Sequence, residues 1–270
     1  MRSTNRREVT SPTNSLMKVF RRALADGTTQ EGWLAVEGPF LVEEALNAAP
    51  GVKTHSLIVA SWAAEKFAAL LQRLPAEAEM TQVPDRLFES VAQTQSPQGI
   101  AALVELPAYK LEQVVGAANP LLVVACRLQD PGNLGTMMRT ALAFSASAFL
   151  TLQDTVSPFN PKAVRSSAGA IFRLPLVCGL DPNAALPFLN RRVRIVAAER
   201  NSPASLAQAD LRGPLAILVG REASGLPEEI ARYASQLLSI PIRKEVDSLN
   251  AATAASIFLY EAARQRGFRY

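Results

Sequence analysis

The residues best placed to do chemistry in this 270-residue chain fall in three short segments of its second half. Asp130-Pro131-Gly132-Asn133-Leu134-Gly135 is followed by Arg139. Val219-Gly220-Arg221-Glu222-Ala223-Ser224-Gly225-Leu226 is the second, and the stretch from Ile240 to Tyr260, with Ser248-Leu249-Asn250 inside it, is the third. Each reads as a strand, a Gly- or Asn-bearing turn, then a helix. In open parallel sheets ligands bind beyond the carboxyl ends of strands, so Asn133, Arg139, Glu222, Ser248 and Asn250 stand where a ligand would lie. Gly135, Gly220 and Gly225 let the backbone approach a ligand closely or take a positive φ. The same residues also fit plainer duties. Asn133 and Ser248 would serve as helix N-caps, the glycines as turn residues, and Arg139 and Glu222 as solvated surface charges. Three such turns together suggest one composite site made largely of main chain.

Several other chemistries lack material. His55 is the single histidine, so histidine-dependent triads and His-rich metal sites are excluded and no metal is expected. There is no GxxxxGK[ST] for a phosphate-binding loop, and no GxGxxG after the first strand of either half for a dinucleotide crevice. Cys126 and Cys178 lie far apart in apolar runs, which predicts two buried thiols, not a disulfide or zinc site. The formal net charge is +4, compatible with a nucleic-acid partner. Residues 1–22 carry Arg2, Arg6, Arg7, Lys18, Arg21 and Arg22 against Glu8, and the far end carries Arg264, Arg266 and Arg269. These read either as solvated basic tails or as phosphate-contacting arms. No apolar run follows the basic start, and the most apolar stretch, 251–260, is too short to span a bilayer. The expectation is a cytoplasmic protein without a membrane partner; an organelle transit peptide is the alternative.

The elements that must hold these turns follow from apolar patterning. Residues 1–15 are polar and aperiodic, which predicts a disordered basic tail. Over 16–106, strands at 33–36, 56–60 and 100–106 alternate with helices at 39–47, 63–74 and 84–92, giving a small α/β domain. Residues 107–119 read as a linker between Pro107 and Pro120. Over 120–270, strands near 121–125, 148–152, 174–177, 193–197, 216–219 and 238–240 alternate with helices at 134–144, 161–168, 183–190, after Pro227 and at 248–265. That alternation predicts a parallel sheet covered on both faces.

Taken together, DPGNLGTMMRTALAF, NPKAVRSSAGAIFRLP, ILVGREASGLP and IPIRKEVDSLNAATAASIFLYEA, in this order, resemble the SpoU family of RNA ribose 2′-O-methyltransferases within the SPOUT superfamily. The likeness covers residues 120–270. Residues 16–106 are similar, more weakly, to the family's RNA substrate-binding domain, through Trp33 to Gly38 and the helix after them. The resemblance implies a C-terminal parallel-sheet α/β domain tied in a deep trefoil knot, and a homodimer built through the knot domain. It implies S-adenosylmethionine as methyl donor, held by Gly220, Ile240, Leu249 and, with less support from the motifs, Ala198. It gives Asn133, Arg139, Glu222, Ser248 and Asn250 to the reaction. Arg139 then either accepts the proton of the 2′-hydroxyl or binds the adjacent phosphate and the developing alkoxide; arginine's pKa above about 12 favours the second. The third motif often has valine then serine after the asparagine, where this chain has Ala251-Ala252-Thr253.

The implied substrate is structured RNA rather than DNA, because only RNA offers a 2′-hydroxyl. Arg6, Arg7, Lys18, Arg21, Arg22, Lys162 and Arg165 are the expected RNA contacts, although Lys162 and Arg165 also fit a solvated helix face. Large-subunit (23S) rRNA is the leading target by analogy with the two-domain layout. A tRNA substrate, or an RNA-binding ribosome assembly factor that no longer methylates, remains the alternative.

Overall fold

The computed structural model describes residues 6–48, 50–221 and 225–268. It divides into two compact units, Met1–Pro107 with Phe159–Arg165, and Ala108–Pro158 with Ser166–Tyr270. No helix among the described residues is long and apolar enough to cross a membrane.

In unit one the chain runs β1 (Arg6–Glu8), α1 (Ser15–Asp26), β2 (Leu34–Glu37), α2 (Pro39–Leu46) and β3 (Lys53–Ala60). It continues through α3 (Ser61–Lys66), α4 (Ala68–Leu71), β4 (Glu79–Val83), α5 (Asp85–Glu89) and β5 (Ile100–Glu105). The sheet order is β1-β4-β3-β5-β2. Leu57 to Ala60 of β3 and Ile100 to Val104 of β5 are buried throughout, so both faces of the sheet's middle are covered. This sheet is mixed rather than parallel: β5 runs antiparallel to both β3 and β2.

Three expectations fail in this unit. Residues 6–8 of the supposed disordered tail form an edge strand parallel to β4, and the neighbouring Val9 is buried. An edge strand needs main-chain partners on one side only and tolerates charge, which is why its composition concealed it. Strand β4 went unread because Glu79, Thr81 and Gln82 break its apolar pattern. The single helix expected over 63–74 is two, interrupted at Phe67 with φ −105°.

Unit two starts with α6 (Leu111–Val115), β6 (Leu121–Ala125), α7 (Pro131–Ala143), β7 (Ala148–Leu152) and the end of α8 (Pro161–Ser166). Then come β8 (Leu176–Leu180), α9 (Pro182–Asn190), β9 (Arg194–Ala198), β10 (Leu215–Val219), α10 (Glu228–Ala231), β11 (Gln236–Leu238) and α11 (Ala251–Gln265). The six strands are all parallel, in the order β11-β9-β10-β6-β7-β8. Every residue of β6, β7 and β10 is buried, as expected of strands covered on both faces. Within the presumed linker, Leu111, Val114 and Val115 of α6 join this unit's core beside Leu122, Leu150 and Ile195. Cys126 is buried, and burial pushes its thiol up to about 11. Cys178, on the edge strand β8, is exposed at its surface, contrary to expectation, although its surroundings still push the thiol up to about 11 through desolvation.

The helix starts differ from expectation in a useful way. Asp130, not Asn133, caps α7, accepting from the Gly132 N–H at 2.7 Å. Asn250, not Ser248, caps α11, accepting from Ala252 N–H at 2.9 Å and Thr253 N–H at 3.2 Å. Strand β11 stops at Leu238, two residues earlier than read, so Ile240 lies outside the ladder.

Candidate active site

Strand order in unit two reverses between β10 and β6: β6 leads outward to β7, and β10 leads to β11 at the opposite edge. Ligands in open parallel sheets bind beyond the carboxyl ends of the strands. Here a cavity of about 300 Å³ lies on the β9-β10-β11 side of that reversal, beyond the ends of these strands, lined by their last residues Ala198, Val219 and Leu238. The turns that follow supply Gly220, Arg221, Gly225, Ile240, Ser248 and Leu249, and α11 supplies Ala251, Ala254 and Phe258. Gly220, Ile240, Leu249 and Ala198 therefore share one cavity. They come from the end of β9, the turn after β10 and the single connection from β11 to α11, and at these four positions, whose side chains carry no polar atom, polar contacts come from main chain.

The turn after β10 is closed on itself. Arg221 N–H donates to Gly225 O at 3.2 Å, and Gly225 N–H donates to Arg221 O at 2.9 Å. Gly225 has φ +63°, which favours glycine. A Cβ added at Gly220 would stand 2.5 Å from Gly225 O and 2.9 Å from Leu226 N, so the first glycine is fixed by the second's approach. Glu222 belongs to this turn and lies outside the described residues.

Asn133 and Asn250, 117 residues apart, meet: the Asn250 Nδ2 donates to Asn133 Oδ1 at 2.9 Å. Asp130 does the capping on α7, and Asn133 ties the first turn of α7 to the cap of α11. A second tie lies further along, where the Ser256 hydroxyl donates to Thr140 Oγ1 at 3.1 Å. Ala251, Ala252, Ala255 and Ala262 on the buried side of α11 are small, which lets α7 come close. Ser248 lines the cavity at its exposed rim. Arg139 is not among the lining residues: it is exposed on α7 and makes no hydrogen bond or ion pair among the described residues.

The cavity also holds charged groups that the motifs did not disclose. Glu199 follows β9 directly and lines the cavity, its Oε1 accepting from Arg200 N–H at 3.0 Å and its Oε2 lying 3.3 Å from where a Gly225 Cβ would be. Arg200, also lining it, pairs with Asp247 at 3.1 Å. Glu199 is the first residue past a strand end, a position open to a ligand, but a lone carboxylate there carries no sequence pattern. Among the described residues no group of three or more candidate ligands could hold a metal ion.

The expected RNA contacts lie in unit one. Arg6 and Arg7 are on β1, with side chains outside the described residues. Lys18 is exposed on α1, Arg22 pairs with Asp26 at 3.3 Å, and Arg21 reaches the Ser90 carbonyl at 3.4 Å. Lys162 and Arg165 are exposed on α8. The C-terminal arginines are not a loose basic arm. Arg264 pairs with Glu261 at 2.7 Å, Arg266 donates to main-chain carbonyls, and Arg269 lies outside the described residues.

Known proteins resemble this chain over nearly its whole length. An uncharacterised tRNA/rRNA methyltransferase of Synechocystis is 33% identical over 262 residues, 96% of this chain and 94% of the relative. A 23S rRNA (uridine(2479)-2′-O)-methyltransferase of Streptomyces viridochromogenes is 31% identical over 207 residues, 74% of this chain and 72% of the relative. The crystal structure of an AdoMet-bound rRNA methyltransferase from Sinorhizobium meliloti superposes with a TM-score of 0.82 at 30% identity, covering 96% of this chain and 98% of that one. Residues 28–102 match the MRM3-like substrate binding domain. Residues 120–260, more than half of the sequence, match the SpoU rRNA Methylase family, and the chain belongs to that family.

Proposed function

We propose that this protein transfers the methyl group of S-adenosylmethionine to a ribose 2′-hydroxyl of large-subunit ribosomal RNA. The observation that carries the proposal is the cavity beyond β9, β10 and β11, lined by late turns, in a chain of this family. The residues fit the donor. The cavity's size is at the lower end of small-molecule sites, about 300–1,000 Å³. The missing Cβ at Gly220 lets the turn after β10 close tightly at the cavity's edge, and Gly220, Ile240, Leu249 and Ala198 would hold the donor. When bound, it supplies an activated methyl group on a sulfonium.

The chain's own residues then have positioning and electrostatic work. Holding the ribose oxygen in line with the methyl carbon supplies several kcal/mol, up to roughly 7–11 in favourable systems. Asn133 and Asn250 lock the starts of α7 and α11 together and so fix the loop carrying Ser248 and Leu249. Arg139, exposed and unpaired, is available to bind the phosphate beside the target ribose and to stabilise the developing alkoxide. Glu222 would steady the turn after β10. Arg6, Arg7, Lys18, Arg21, Arg22, Lys162 and Arg165 supply phosphate contacts, which makes RNA binding salt-dependent. Two further features belong to this reading, a trefoil-knotted unit two and a homodimer formed through it; the exposed Ile242, Val246 and Tyr260 support the second. Two free cysteines and no disulfide among the described residues suit a cytoplasmic setting.

The test maps 2′-O-methyl sites in ribosomal and transfer RNA from cells with and without the protein. One large-subunit site should vanish with the gene, return with the wild-type chain and stay absent with Arg139→Ala. Calorimetry on Arg139→Ala should find donor affinity within about threefold of wild type, since Arg139 does not line the cavity. A lost tRNA site, or no lost site at all, would replace the rRNA assignment.

A further inference from the structure

Unit one has a cleft of its own, of about 260 Å³, where β2 passes into α2. Phe40 forms one wall with 56% of its surface exposed. Thr94, Ser96 and Gln98, from the loop before β5, form another. Arg165 lines the cleft from the Phe159–Arg165 segment of the same unit, and makes no hydrogen bond or ion pair among the described residues.

These walls are held in place from below. Gly38 has φ +96°, and its N–H donates to Ile100 O at 2.9 Å, which turns the chain sharply into α2 and sets Phe40 in the first turn. Glu37 accepts from Gln93 N–H at 2.8 Å and from the Thr94 hydroxyl, so its carboxylate is engaged in anchoring the loop. At the loop's far end Gly99 has φ +77°, and a Cβ there would meet Ala63 Cβ at 2.6 Å. Phe40 is the most exposed large apolar side chain among the described residues, so packing alone does not account for a ring set on so anchored a support.

The cleft also holds the Glu37 carboxylate, occupied by Gln93 N–H and the Thr94 hydroxyl. Beside it, an open ring, a guanidinium without a partner, and the Ser96 hydroxyl and Gln98 amide match the parts of a nucleotide. The ring stacks a base, the guanidinium takes a phosphate, and the neutral groups meet the base edge. A base inside a duplex keeps both its faces stacked and could not reach the ring. We propose that this cleft takes one unstacked nucleotide of the substrate RNA, its base on Phe40 and its phosphate on Arg165, so that the substrate is an RNA loop, bulge or end. The proposal rests on the methyltransferase reading for the identity of the RNA, but the cleft is separate from the donor cavity.

The test compares Phe40→Ala, Phe40→Trp and Arg165→Gln with wild type on an rRNA fragment that the wild type methylates. Phe40→Ala should raise the KM for RNA roughly tenfold, as loss of one stacked base does, with kcat at saturating RNA and S-adenosylmethionine affinity unchanged. Phe40→Trp should restore wild-type KM. Arg165→Gln should raise KM and flatten the dependence of log binding on log salt by about 0.7, one single-strand phosphate contact. An unchanged KM in Phe40→Ala overturns the proposal. So does a tryptophan variant as weak as alanine, which would make the cleft a packing or protein-contact surface. Should the wild type methylate no RNA, it is the methyltransferase reading that fails. Anisotropy with an unpaired oligoribonucleotide then decides the cleft: weaker binding by Phe40→Ala supports it, and equal binding overturns it.

Discussion

Gly220 is the least replaceable residue of the cavity proposed for the donor, because what excludes a side chain there is backbone. The Gly225 carbonyl carbon and oxygen and the Leu226 nitrogen all fall within 2.9 Å of a Cβ at this position, and none can move without opening the turn. Gly220→Ala should therefore weaken S-adenosylmethionine binding by tenfold or more in calorimetry, at a stability loss of about 1–3 kcal/mol, the usual cost of overpacking. Normal donor affinity in that variant would remove the turn after β10 from the site. Gly220 and Gly225 were legible in the sequence as turn glycines, because glycine is the residue that lets backbone meet backbone. Glu199 was not, since a single carboxylate after a strand carries no spacing pattern. Nor was the meeting of Asn133 with Asn250, which depends on tertiary structure across 117 positions.

Strands β6 and β7 were read to the residue from sequence because they are buried on both faces and so are apolar without interruption. Strands β1 and β4 were missed because an edge strand and its neighbour need no such run. The starts of α7 and α11 were each displaced by three residues, where a side-chain oxygen of Asp130 or Asn250 reaches a main-chain N–H. The C-terminal end of α11 was misread for a different reason. Arginines near a terminus look like a basic tail, yet the Arg266 guanidinium donates to the carbonyls of Asn119 (3.0 Å), Leu211 (3.3 Å), Pro120 (3.4 Å) and Gly213. Burial lowers its pKa from the ordinary arginine value. Gln265 adds bonds to Leu211 N–H and Ala209 O. This fastening holds the helix whose other end borders the donor cavity. Arg266→Ala should cost about 2–3 kcal/mol, the range for hydrogen bonds to a charged group, read as a lower urea midpoint with an unchanged slope. A midpoint equal to wild type would mean that the fastening is exchanged for water at no loss.

At the scale of the whole chain, each unit has its own sheet and its own core, and aromatic residues report on them separately. Both tryptophans, Trp33 and Trp62, lie in unit one, whereas Tyr109, Tyr233, Tyr260 and Tyr270 all lie in unit two. The cavity proposed for the donor is lined by residues within 198–258, all in unit two. A ligand that binds only the folded form stabilises it by about 2.7 kcal/mol at a hundredfold excess over Kd. For a unit of about 150 residues that corresponds to an upward shift of roughly 5–10 °C in Tm. Saturating S-adenosylmethionine should therefore raise the unfolding midpoint seen by tyrosine absorbance and by calorimetry. Tryptophan fluorescence should continue to report unfolding of unit one at its original temperature. If fluorescence moves upward in step with the tyrosine signal, the units unfold as one cooperative block. If the tyrosine midpoint stays fixed while the tryptophan midpoint rises, the donor binds unit one, and the cavity beyond β9, β10 and β11 is not its site.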